Sequence, residues 1–104
     1  MENIFWTAFS NNERHSEIDK IKNVVSKFGD IVDFKFFSDL SLNVKIEIEE
    51  LKIDDLYENL KNIIGIDKFE YLNSTSQKER TVYLNITFIK GTGNLSIEVP
   101  SVPG

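Results

Sequence analysis

The chain has 104 residues and a mass of 12.0 kDa, with 40% hydrophobic and 28% charged residues, a balance that fits one globular domain and points away from wholesale disorder. Twelve basic against seventeen acidic residues give a net charge of −5 and a pI near 4.8, and the basic residues are scattered, which argues against nucleic acid as a partner. The absence of Cys excludes disulfides, thiolate zinc sites and cysteine nucleophiles.

No apolar run approaches the roughly 18 residues of a spanning helix, so no membrane partner is expected. The first residues carry Glu2 and no basic region, unlike a secretory leader, and the expected location is cytoplasmic. The N-x-S/T triplets at Asn73, Asn85 and Asn94 then read as chance.

Taken in order, Ile4 to Phe9 is a short β-type run apolar on both faces, Ile4/Trp6/Ala8 and Phe5/Thr7/Phe9, as an interior strand would be. From Ile18 to Phe28 the apolar positions recur every three to four residues and predict an amphipathic helix. Its start is capped by Ser10 with Glu13 or by Ser16 with Asp19. Gly29 is placed to stop it in a left-handed C′ conformation. Ile31 to Glu49 then alternates in two segments about Ser38-Asp39, the pattern of a β-hairpin. Val32, Phe34 and Phe36 share one face of its first strand, and Leu42, Val44, Ile46 and Ile48 one face of the second.

Helix grammar returns in the segment closed by Gly65, with Ile53, Leu56, Leu60 and Ile63/Ile64 on one stripe and Asp54 and Asp55 at its start, where carboxylates favour the helix dipole. Ile66 to Asn73 alternates as a fourth strand, and Ser74 to Arg80 reads as an exposed loop. Val82, Leu84, Ile86 and Phe88 give the clearest alternation in the chain, joined through Gly91 and Gly93 to Leu95, Ile97 and Val99 as a second hairpin. The expected fold is α+β: a ferredoxin-like βαββαβ antiparallel sheet over 1–73 with two helices on one face, a β-hairpin over 81–99 and a tail over 100–104, all in one domain.

From Ile18 to Leu72 the chain resembles small regulatory domains of the ACT type, in a helix leading through Phe28-Gly29-Asp30 into a hairpin and a second helix closing on Ile63-Ile64-Gly65-Ile66 to Leu72. The resemblance implies small-metabolite sensing at a subunit boundary. Where such domains carry an Asp-x-Pro-Gly-like turn, this chain has Ser10 to Arg14, so no ligand contact carries over there.

Chemistry-bearing motifs are sparse. His15 is the only histidine, and neither a zinc site nor a Ser-His-Asp arrangement has a local signature around it. Gly91 to Asn94 lacks the Lys-Ser/Thr and helix of a phosphate loop. Arg14 and Asn43 occupy places comparable to the Arg and strand Asn of acylphosphatases, without that family's glycine-rich loop. No cofactor or metal is expected.

The candidate surfaces are of two kinds. Phe5, Phe9, Ile31, Phe37, Tyr83 and Ile89 fall opposite the helix-facing positions, so they line a sheet face covered either within the chain or by self-association. Glu47, Glu49 and Glu50 begin an acidic run suited to a basic protein. The functional expectation is a non-enzymatic binding or regulatory module acting through protein association, self or heterologous, as a homodimer. The alternatives are an ACT-like small-metabolite sensor and an acidic inhibitor of a basic partner, of the toxin-immunity kind.

Overall fold

A computed structural model of the chain describes residues 3–89. The elements run β1 (Ile4–Ser10), α1 (Arg14–Ser26), β2 (Gly29–Ser38), β3 (Ser41–Glu49), a single 3-10 turn (Glu50–Lys52), α2 (Ile53–Lys61), β4 (Gly65–Ile66) and β5 (Glu79–Phe88). The class is α+β, with a five-stranded mixed sheet in the order β2-β3-β5-β1-β4.

The alternating patterns read from the sequence bury the faces they name. Leu42, Val44, Ile46 and Ile48 of β3 and Val82, Leu84, Ile86 and Phe88 of β5 are sealed from solvent, and Trp6 and Ala8 of β1 join them. Against this face lie Ile18, Ile21 and Val25 of α1 and Ile53, Leu56, Tyr57 and Leu60 of α2, in one continuous core. Both helices therefore cover the same side of the sheet, and burial of these side chains is the main term holding the two layers together.

The strand order departs from the ferredoxin-like expectation. In that arrangement β1 lies beside β3, whereas here β5 stands between them, parallel to β1 and antiparallel to β3. Both backbone edges of β5 are used along its length, so β5 is the centre of the sheet rather than the first arm of an appended hairpin. The expected second arm, Leu95 to Val99, lies outside the described residues.

The fourth strand is also shorter than its alternation predicts, two residues instead of eight. The carboxylate of Asp54 accepts the backbone N–H groups of Leu72 and Asn73 at 2.9 and 2.8 Å, and the backbone turns at Asn73 with φ 50°. Side-chain acceptors have taken the donors a ladder needs. Meanwhile Phe69 packs edge-on to Trp6 at 5.2 Å and closes the core beneath an irregular segment.

Helix α1 is capped by neither predicted pair. The carboxylate of Glu13 accepts the N–H groups of His15 (2.9 Å) and Ser16 (3.1 Å), which holds Glu13 below its ordinary pKa. Lys27 ends the helix in right-handed geometry, so Gly29 is not a left-handed stop. Its need is steric, because β2 begins there in close approach to Glu47 and Ile48 of β3.

Candidate functional site

The helix-free face of the sheet is aromatic at the β1 side and polar at its centre. Phe5 and Tyr83 are register partners whose rings stack at 5.2 Å and 11°, and Lys45 brings its Nζ to 5.8 Å from the Tyr83 ring. Thr7, Asn85, Asn43 and Lys35 form the next row across the strands. Phe9 lies over Gly65, where its ring occupies the space a Cβ would take. Phe5 is 71% exposed and Phe9 48%, a large apolar display for so small a domain.

Ile31 does not belong to this face. The β2–β3 register slips between Ile31 and Asp33, leaving Val32 as an extra, exposed residue, and Ile31 stands opposite buried Ile46 on the helix side. A bulge reverses the alternation on one side of itself. As a result Ile31 joins Phe34 and Phe36 on the core-facing side, and Val32 leaves it. A second slip at Phe37 puts that side chain, 63% exposed, at the end of β2 beside the hairpin tip. Ile89 is exposed just beyond β5.

The acidic run is divided by the fold. Glu47 and Glu49 border a cleft of about 320 Å³ together with Asp30, Glu79, Lys27 and Lys52, and Glu49 pairs with Lys52 at 3.5 Å. Glu50 is engaged internally: it accepts the Ser74 hydroxyl at 2.7 Å and pairs with Arg80. With Asp54 it fastens residues 72–78 to the start of α2, aided by Leu51 N–H on the Ser76 carbonyl and Glu50 N–H on that of Lys78. The stretch expected to be an exposed loop is thus tied down by Glu50, which was expected to meet a partner, and by Asp54, which was expected only to favour the helix dipole.

Hydrogen bonding from Ser74, and then the Arg80 guanidinium, hold the Glu50 carboxyl below its ordinary value of 4.5. A depressed carboxylate pKa stabilises the fold above the unfolded value, and that contribution is lost as pH falls through the folded one. Denaturant midpoints measured at pH 6 and at about pH 3.5 should therefore fall less in Glu50→Gln than in the wild type. Equal falls would remove this carboxylate from the acid response.

Sequence reasoning missed a buried carboxylate. Glu17 sits in the first turn of α1 with no solvent exposure, accepting the Ser10 hydroxyl at 2.8 Å and the Asn12 amide at 3.3 and 3.2 Å. Lys20 brings its ammonium to 4.0 Å from the rim. The one sequence signal is the spacing of Ser10, two residues past Ala8 on the face β1 turns inward, beyond the Phe9 end expected for that strand. Arg14 donates to the Asp39 carbonyl at 2.9 Å and covers the Phe36 ring at 5.1 Å, clamping the hairpin tip on the helix side. Asn43 is on the opposite face, so the sheet separates the two residues compared with acylphosphatases. His15 is exposed at the helix start, and among the described residues no three His, Asp or Glu side chains converge as metal ligands do.

Strand β2 is the long edge strand of the sheet, the short β4 being the other. The Phe34 N–H is held by the carboxylate of its neighbour Asp33 at 3.0 Å. Beside this edge a groove of about 440 Å³ opens between β2 and α1, lined by Lys22, Ser26, Gly29, Asp30, Ile31 and Phe34, with the Lys22 Nζ 4.6 Å from the Phe34 ring. Among the described residues no helix is long and apolar enough to cross a membrane. The chain significantly matches no family model, no curated protein and no solved structure, so the reading of its surfaces rests on their own geometry.

Proposed function

We propose that this chain is a non-enzymatic binding module that acts through protein association and forms a homodimer. The observation that carries the reading is where the exposed large apolar side chains are placed. Phe5, Phe9, Val32, Phe36 and Phe37 belong to the sheet, on its helix-free face or along the edge strand β2, while Leu40, Tyr71 and Ile89 lie in the connections beside it. Solvent-exposed aromatics gathered on one layer fit a surface that is covered in the working state. The centre of the helix-free face is polar, with Asn43, Asn85 and Thr7, which favours contact at the aromatic flank and the strand edge over stacking of whole sheets.

Native mass spectrometry and sedimentation velocity across roughly 1 to 100 µM, the range in which weak specific dimers dissociate, test the reading. A dimer that dissociates reversibly on dilution is the expected result. A monomer throughout the range overturns self-association, and a retained small-molecule mass would move the assignment to ligand sensing.

A further inference from the structure

We infer that the homodimer is built by antiparallel pairing of β2 with β2 of a second copy, about a two-fold axis through Phe34. This rests on the association reading above and names its interface. The backbone supplies the first observation. The Phe34 N–H bonds to the Asp33 carboxylate rather than to β3, so it points to the outer edge of the sheet. On pairing, that carboxylate releases the N–H and turns to Lys35 of the second copy, and the N–H and C=O of Phe34 are exchanged with those of the same residue there, a closed two-fold contact.

Charge supplies the second. With Phe34 on the axis, Asp33 of each copy stands opposite Lys35 of the other, on the helix-free side. Asp33 already has Lys45 as its register partner in β3, so the joined sheet carries Lys45, Asp33 and Lys35 of the second copy in one row of alternating charge. Moving the axis to Asp33 or to Lys35 would instead oppose two like charges. Opposed like charges across strands disfavour those two registers, and the one centred on Phe34 sets each Asp33 against a Lys35.

Shape supplies the third. In this register Phe36 of the second copy comes level with Val32. Because the bulge has removed Val32 from the helix side, that level is open, and it is where Ile31 and Phe34 line the groove. The exposed Phe36 ring, 42% accessible in the single chain, enters the groove beside Lys22 and Ser26. The bulges at Val32 and Phe37 confine the new ladder to the residues around the axis, and with each β2 edge covered by the other copy the contact closes at two.

The test is charge complementation. Asp33→Lys and Lys35→Asp, both at exposed positions, should each fold, checked by circular dichroism, and each should weaken dimerisation by about tenfold or more, since both pairs across the axis become repulsive. Mixed in equal amounts, the two variants should form a heterodimer in native mass spectrometry, because every opposed pair is again of opposite sign. Homodimers undiminished in both single variants overturn the edge interface while leaving association through the Phe5–Phe9 flank intact. Weakened single variants that fail to pair when mixed overturn the register. A wild-type monomer at all concentrations removes both the edge dimer and the homodimer reading.

Discussion

Replacing Glu17 with Ala should destabilise the fold by about 3 kcal/mol, the cost of removing one partner from a buried, charge-assisted network. The side chain is fully enclosed and holds the Ser10 hydroxyl and the Asn12 amide. Alanine leaves those donors without their acceptor and opens a void at the junction of β1 and α1. A domain of this size has a stability of about 5–15 kcal/mol, so the loss should lower the melting temperature by roughly 10–20 °C. Glu17→Gln keeps the volume and one acceptor and should cost about half as much. Ser10→Ala should cost about 1 kcal/mol alone and less in the Glu17→Ala background, because the two groups share one interaction. Urea unfolding of the wild type and the four variants checks the set. A Glu17→Ala midpoint within error of the wild type would show that the buried carboxylate does not anchor the junction.

The second large effect belongs to Gly29→Ala, expected to cost about 2 kcal/mol through overpacking. A Cβ there would stand 2.6 Å from the Glu47 carbonyl oxygen and 2.8 Å from the Ile48 Cβ. These atoms belong to β3, which is paired with β5 on its other side and cannot retreat without disturbing the centre of the sheet. Glycine to alanine in an unstrained strand is otherwise stabilising, so the sign of the measured change decides whether contact governs. Gly65→Ala is the internal comparison. The nearest atoms to its Cβ would be those of the Phe9 ring, a half-exposed side chain free to swing away, and the loss should stay below about 1 kcal/mol. Similar losses at the two positions would show that β3 yields as readily as a side chain does.

Local periodicity made much of this protein legible. The β3 and β5 alternations named the buried faces residue by residue, and the α2 stripe was right at Ile53, Leu56 and Leu60, because burial on one side of a regular element leaves a direct trace in residue order. Phe5 and Phe9 were placed on the uncovered face for the same reason. What escaped depends on partners distant in sequence. The bulge at Val32, which carries Ile31 to the core, has no local signature in a run of apolar residues. The capture of Leu72 and Asn73 by Asp54 converts an alternating segment into irregular chain, and only tertiary placement brings those groups together. Glu17 reads as an ordinary solvated first-turn acid until Ser10 is known to point at it. Glu50 lay in a conspicuous acidic run, yet Arg80 and Ser74, far along the chain, decide its role.

The position of β5 dictates when this molecule can come into being. Its neighbours β1 and β3 are synthesised before it, but their backbones are linked only through this last described strand, so every earlier intermediate carries two unsatisfied strand edges at what will become the middle of the sheet. The native contacts of β1 span most of the chain, an arrangement of high contact order whose loop-closure entropy slows folding. Chains truncated before Glu79 keep the segments of both helices and the β2–β3 hairpin yet lack the strand whose backbone links β3 to β1, and their open edges make them a substrate for aggregation and for chaperones.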